Sequence, residues 1–234
     1  MHGCFVTGTD SGAGKTVLAA AIAASCRARG RRVRAFKPVI TGLAVPSDPA
    51  WPHDDELLAA ASGIEPGDVA PLRFGPAVSP HLAASLTDTR IDPAAIVAAA
   101  RAAGARAEVL VVEGVGGLLV PLTPQYSVRD LARELGLPVV IAARPGLGTI
   151  NHTLLTAEAA KAVGLRVVGV ALTPWPREPG VLERSNRESL EQMLGVPVAT
   201  IARIARADVE LLAWAGSSLP LDEWLGDAVA TRIP

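Results

Sequence analysis

The sequence predicts a single doubly wound α/β domain, a mostly parallel sheet with helices on both faces, spanning residues 1–234. Three observations carry that prediction. Short strand-like runs alternate with stretches whose apolar residues recur at helical spacing, which implies parallel pairing through right-handed crossovers. Runs such as Val109-Leu110-Val111-Val112 are apolar at every position, as strands buried on both faces are. At 234 residues the chain is long for one ordinary domain and short for two, and nothing in it repeats.

Along the chain, Gly3 to Thr7 reads as the first strand, and Lys15 to Arg29 as a helix closed by Gly30. Arg32 to Lys37 is a second strand, cut off by Pro38. From Thr41 to Trp51 the chain is proline-bearing and poor in charge, too irregular for an element and long enough to carry function. Helical patterns follow over Asp54 to Ala61 and Pro93 to Ala103, the latter with Asp92 as N-cap and proline at its first position. After the strand Val109 to Val112, Ser127 to Leu135 opens with a capping box in which Asp130 stands for the usual Glu. Strands at Leu137 to Ala142, Arg166 to Leu172 and Val198 to Ile201 alternate with helices at Asn151 to Val163 and Val181 to Leu194.

Composition narrows the class. Half the residues are apolar, and 22 basic residues nearly balance 23 acidic ones, which suits a packed core and excludes a disordered chain. A net charge of −1 offers no polybasic footprint for nucleic acid. The best apolar run, Val109 to Leu122, is broken by Glu113 and by glycine and proline, and is shorter than the roughly 20 residues of a membrane span. The N-terminus lacks the basic and apolar regions of an export signal, and Cys4 and Cys26 read as buried thiols in a reducing compartment, so a cytoplasmic location is expected. Only three of the basic residues are lysines: Lys15, Lys37 and Lys161. The first two sit at glycine- or proline-marked turns, where a compact, mobile ammonium would be needed.

The sharpest motif is Gly8-Thr9-Asp10-Ser11-Gly12-Ala13-Gly14-Lys15-Thr16, after the first strand and opening the first helix. Such a loop turns successive backbone N–H groups toward one anion, and the helix N-terminus adds its partial positive charge. Lys15 would reach the β- and γ-phosphates and the Thr16 hydroxyl would ligate Mg²⁺. The strict Walker A pattern asks for glycine where Thr9 stands, so this loop, counted from Gly8, is one residue longer. A magnesium nucleotide needs a further carboxylate at the end of a neighbouring parallel strand, and Glu113 fits, just ahead of Gly114-Val115-Gly116-Gly117.

With these pieces in view the chain resembles the dethiobiotin synthetase family, a group of the P-loop NTPase superfamily. Five segments carry the resemblance in order: the extended loop Gly8 to Thr16; Lys37-Pro38-Val39 with Thr41-Gly42; Ser79-Pro80-His81; Val112-Glu113-Gly114-Val115-Gly116-Gly117 with Pro121; and Gly148-Thr149-Ile150-Asn151-His152. The resemblance implies an ATP- and Mg²⁺-dependent ligase of biotin biosynthesis. CO₂ adds to 7,8-diaminopelargonate as a carbamate, ATP phosphorylates it, and the second amine closes the ring, giving dethiobiotin, ADP and phosphate. It further implies Lys37 and Lys15 as catalytic cations flanking the transferring phosphoryl group. Nucleotide contacts fall to Gly12, Ala13, Gly14, Lys15, Thr16, Val17, Asp54, Glu113, Gly114, Val115 and Gly116. Thr16, Asp54 and Glu113 would be the metal ligands, and Ser11, Thr41, Gly148, Thr149, Ile150 and Asn151 the substrate contacts. Asp55 stays open as an alternative to Asp54, and either could simply cap its helix.

In the family the Asn151 segment serves the substrate carboxylate of the neighbouring subunit, so a homodimer with sites at the interface is expected, with neither nucleic acid nor membrane as partner. His81 and His152 read as structural, His2 and His53 as surface residues, and Trp175, Trp214 and Trp224 as packing residues. Two places depart from the family. Thr173-Pro174-Trp175-Pro176 replaces an Asn-Asp pair that reads adenine, and Ala202-Arg203-Ile204 replaces a proline-bearing loop. Other nucleoside triphosphates, CTP included, are therefore expected to substitute for ATP. The alternative function is a regulatory P-loop switch of the partitioning or division-site type. Such switches carry an extra lysine early in the loop, where this chain has Asp10, and often a basic amphipathic tail, whereas Leu219 to Pro234 is acidic to neutral.

Overall fold

Six apolar segments pair into one parallel sheet in a computed structural model that describes residues 1–225 apart from Pro49. The strands are β1 (Gly3–Gly8), β2 (Val33–Phe36), β3 (Val109–Gly117), β4 (Val139–Ala143), β5 (Val167–Trp175) and β6 (Val198–Ala202). Their order is β6-β5-β4-β1-β3-β2, every neighbouring pair parallel. Side chains alternate across the sheet, so Cys4 and Val6 enter one core and Phe5 the other.

Helices cover both faces, as the sequence predicts. Beneath one face α1 (Lys15–Ala28) and α2 (Asp54–Ser62) pack with α8 (Val209–Ser217) and α9 (Leu221–Leu225). Over the other lie α3 (Pro80–Leu86), α4 (Pro93–Ala105), α5 (Val128–Leu135), α6 (Thr149–Lys161) and α7 (Val181–Leu194). The start signals act as expected: the Asp92 carboxylate accepts from Ala94 N at 2.9 Å, and Ser127 and Asp130 bond reciprocally. Trp224 is fully buried and lies over Gly169, where a Cβ would stand 2.0 Å from the indole Nε1. Only glycine admits that contact.

Several details differ from the sequence reading. Strand β3 runs beyond Val112 through Glu113 to Gly117, and α6 starts at Thr149, ahead of Asn151. α3 and α9 are too short to show a 3.6-residue period, and α8 carries its N-cap, Asp208, outside the regions of strong periodicity. Trp214 is 71% exposed and so is not a packing residue, while His2 and His53 are half-buried rather than on the surface. The segment from Thr41 to Trp51 is irregular, with one isolated bridge between Asp48 and Trp51. Of the tail Leu219 to Pro234, residues 226–234 lie outside the described residues.

The topology places the site. From β1 the chain passes to β2, leaving a slot that β3 later fills, and then crosses over β1 to β4. The carboxyl ends of β2, β3 and β1 therefore stand side by side where the winding reverses, the position at which open α/β sheets bind ligands.

Candidate active site

The loop between β1 and α1 folds as a phosphate cradle. Gly12 and Gly14 take φ values of 69° and 89°, conformations that favour glycine, and a Cβ at Gly14 would meet the Thr173 methyl at 2.4 Å. The first turn of α1 has neither a side-chain cap nor an acidic residue, which leaves its N–H groups to an anion. Lys15 is buried to 7% exposure and bends back over the loop, its Nζ donating to the Asp10 carbonyl at 3.0 Å.

Strand register assembles the charged centre. Phe36 of β2 pairs with Val112 of β3, and Val6 of β1 pairs with Glu113. Lys37, the next residue after β2, thus stands opposite Glu113. The Lys37 Nζ donates to Glu113 Oε1 at 2.6 Å and to Asp54 Oδ2, at the start of α2, at 2.5 Å. The Thr16 hydroxyl donates to the same Glu113 oxygen at 2.9 Å. Glu113 is fully buried and Lys37 is 5% exposed, so the contact between these two lies out of reach of solvent screening.

Each charge is tuned by that burial. Desolvation opposes the Lys37 ammonium, but Glu113 and Asp54 outweigh it and hold the lysine above its usual range, firmly protonated. Burial pushes Glu113 upward against the pull of Lys37, whereas for Asp54 the lysine prevails over burial and the carboxyl is lowered. Lys15 is pushed down by burial, opposed by Glu113 and reinforced by the charge of Lys37.

These groups line a cavity of about 440 Å³. Of the residues expected from sequence it gathers Ser11, Gly12, Gly14, Lys15, Thr16, Val17, Lys37, Thr41, Asp54, Glu113, Val115 and Gly116. Ala13 is buried and borders an adjoining pocket instead, and Gly114 faces Phe5 and Val128 in the core, so neither lines the cavity. Asp55 turns away from it to an ion pair with Arg73. Thr149 lies in an adjoining pocket of about 310 Å³ with Asp10, Ser11 and Arg144. Gly148, Ile150 and Asn151 line neither pocket; Ile150 packs on the core, and Asn151 is exposed. His152 borders the adjoining pocket, while His81 is exposed on α3 along a separate groove.

Sequence reasoning missed several residues. Val39, Trp51, Pro52 and Leu57 complete the cavity wall. Arg144, just after β4, donates from Nε to the Gly12 carbonyl at 3.0 Å and so ties the loop from outside. A charged residue ending a buried strand was the signal that singled out Glu113, and Arg144 shows it as well. Asn186 holds the loop after β4 through the carbonyls of Pro145 and Gly146, and no pattern in the sequence marks it.

The donor set suits a hard divalent cation. Among the described residues no cage of three or more His, Cys, Asp or Glu side chains forms, but two carboxylates and a hydroxyl converge, and the buried Glu113 Oε2 has no hydrogen-bond partner. Mg²⁺ is ordinarily held by one or two carboxylates plus phosphates and water, which fits this arrangement.

Comparisons with known proteins agree with one another. Residues 2–206 match a family model described as an AAA domain. An ATP-dependent dethiobiotin synthetase BioD of Anaeromyxobacter dehalogenans (strain 2CP-1) is 42% identical, the alignment covering 100% of this chain and 99% of that one. Proteins of the same name from Bacillus licheniformis and Haloferax mediterranei are 40% and 38% identical, over 85% and 96% of this chain and 84% and 94% of theirs. Among solved structures, the signal recognition particle receptor FtsY of Elizabethkingia anophelis superposes with a TM-score of 0.51 at 14% identity, over 91% of this chain and 64% of that one. Apo McdA of Cyanthece also gives 0.51, at 11% identity and 96% of both chains. At such identities these two structures bear on the fold alone.

Proposed function

Given that the chain belongs to the ATP-dependent dethiobiotin synthetase family of P-loop NTPases, we propose how its own residues divide the family's chemistry. The activity is that of a ligase in biotin biosynthesis, which forms C–N bonds at the expense of ATP. It converts 7,8-diaminopelargonate, CO₂ and ATP into dethiobiotin, ADP and phosphate. The regulatory switch is set aside, because relatives at 38–42% identity over most of the chain are synthetases.

One amine of the substrate adds to CO₂ and loses a proton, leaving a carbamate. A carbamate oxygen then attacks the γ-phosphorus of ATP, the bond to the bridging oxygen breaks, and ADP leaves. The second amine attacks the carbonyl carbon of the mixed anhydride, the bond to the phosphoryl oxygen breaks, and phosphate departs as the ring closes. Between carbamate and triphosphate two anions must meet, so cations are required on both sides. Lys15 serves from the phosphate loop and Lys37 from the end of β2. What carries this reading is Lys37, a buried ammonium held by Glu113 and Asp54 at the open end of the cradle. Main-chain groups of Gly12, Ala13, Gly14 and Lys15 and the side chain of Thr16 receive the phosphates, with Val17, Val115 and Gly116 forming the floor. Ser11 and Thr41 offer hydroxyls to the carbamate and the diamine.

Thr16, Asp54 and Glu113 would hold Mg²⁺, whose charge would neutralise phosphate oxygens and lower the barrier to attack. The assembly is a homodimer in which Gly148, Thr149, Ile150 and Asn151 of one copy complete the cavity of the other. In support, those residues do not line their own cavity, and Leu119, Leu147 and Leu155 nearby are 58%, 89% and 61% exposed. Among the described residues no helix is long and apolar enough to cross a membrane. Cys4 and Cys26, both buried, suit a reducing compartment, and the cytoplasm is the proposed location.

Incubating the protein with diaminopelargonate, bicarbonate and ATP should yield dethiobiotin, detected by mass. A folded protein that consumes ATP without forming it would overturn the reading.

A further inference from the structure

Asp54 and Asp55 open α2 as neighbours, yet their carboxylates go opposite ways. Asp54 Oδ2 meets Lys37 at 2.5 Å with its side chain 42% exposed toward the cavity. Asp55 has a side chain only 1% exposed; one of its oxygens is bound by Arg73 and the other has no partner. Arg73 belongs to a short parallel pairing in which it stands opposite Ile40, close after Lys37. One bond therefore ties the segment that carries Lys37 to the helix that carries Asp54.

The pairing resolves an ambiguity built into the sequence. A helix turns by about 100° per residue, so two consecutive carboxylates cannot both face one cavity. With aspartate at both positions, turning the start of α2 by about one residue, or about 100°, would present the same chemical group to the cavity. Asp55 also lies on the buried side of its helix, with Leu58, Ala59 and Ser62. A carboxylate there needs a cation, and of the two lysines in the cavity wall Lys37 is the one already bonded to α2.

We propose that Arg73 is a positioning residue: it holds Asp55 in the wall of the fold and so leaves Asp54 the sole α2 carboxylate on Lys37. This rests on the reading of Asp54 and Lys37 as site residues given above. The guanidinium is suited to the task, being permanently charged and only partly exposed, at 39%. The pair, buried on the side of Asp55, contributes register rather than net stability, the best-attested use of such ion pairs.

The test compares Arg73→Met, Asp55→Leu, the double variant and Asp54→Asn, measuring kcat, KM for ATP and thermal midpoint. Arg73→Met should lower kcat at least tenfold with KM for ATP within threefold of wild type, because the freed Asp55 competes for Lys37. Adding Asp55→Leu removes the competitor and should return kcat to within fivefold of wild type, a rescue that a purely structural tie would not give. A smaller loss in Arg73→Met, or a double variant more than fivefold slow, overturns the proposal. Where Arg73→Met fails to fold, the double variant decides alone by the same limit, since apolar replacement of a buried pair is commonly tolerated. Asp54→Asn separates the two failures. If it turns over like wild type, the reading of the site falls and this proposal with it; if it is at least a hundredfold slow while the double variant stays slow, only the role of Arg73 is refuted.

Discussion

Lys37 Nζ stands 2.6 Å from Glu113 Oε1 because β2 and β3 pair in parallel with Phe36 opposite Val112, which carries the next residue of each strand to the same level. Neither residue contacts the other through local sequence, and both are buried. The pair is therefore at once a structural element of the sheet edge and the electrostatic centre of the cavity.

Lys37→Ala should cut turnover by orders of magnitude while nucleotide affinity changes little, because the role proposed for the ammonium is at the carbamate and transferring phosphoryl group rather than at the base. It also strands Glu113 as a buried, uncompensated carboxylate, and removing one partner of a buried pair costs about 3–5 kcal/mol. Turnover, nucleotide affinity and thermal midpoint measured together check both effects. A fully active Lys37→Arg would refute the requirement for a compact ammonium.

Glu113→Gln should weaken Mg²⁺-dependent nucleotide binding with the fold retained, since glutamine can still accept from Thr16 but no longer offers a charged oxygen to a cation. Calorimetric titration of nucleotide with and without Mg²⁺ checks this. An unchanged dependence on Mg²⁺ would return Glu113 to a structural role.

Base selectivity should be weak. The Asn-Asp pair is replaced by Thr173-Pro174-Trp175-Pro176; Thr173 is buried against Gly14 of the phosphate loop, and the two prolines remove backbone donors. Affinity then resides mainly in the triphosphate, and GTP and CTP should support turnover within about tenfold of ATP, or about 1.4 kcal/mol. Competition binding in Mg²⁺ checks it, and a hundredfold preference for ATP would reveal an adenine-reading group elsewhere.

Gly169→Ala should destabilise the fold and spare the chemistry. Its Cβ would collide with the ring of Trp224, and overpacking of this kind costs about 1–3 kcal/mol. A domain of this size loses about 2–4 °C of thermal midpoint per kcal/mol. A midpoint unchanged from wild type would show that the ring moves aside freely.

What could be read from the sequence follows the range of the interaction involved. The phosphate loop, the apolar strands and the helix caps are set within a few residues of themselves, so the fold class, Gly12 to Thr16 and Glu113 were visible as local patterns. The choice between Asp54 and Asp55 was not, because both begin the same helix and the residue that separates them, Arg73, is remote in sequence. Arg144 reaches the loop across the sheet, and its contact exists only after β4 is placed beside β1. Gly114 and Gly116 would share a face in a regular strand, but the pairing of β3 is irregular between Glu113 and Gly117, where Gly116 takes a φ of 61°, so Gly114 faces Phe5 and Val128 in the core while Gly116 lines the cavity. The exposure of Trp214 is not legible in the sequence, because a helix of nine residues gives little periodicity from which to assign a face.

The most direct test of phosphoryl transfer to a carbamate is to follow oxygen from CO₂. Under single-turnover conditions with ¹⁸O-labelled CO₂, diaminopelargonate and unlabelled ATP, the phosphate released with dethiobiotin should carry one ¹⁸O, and Lys37→Ala should release almost none. Phosphate free of ¹⁸O, formed at the same rate as dethiobiotin, would contradict it.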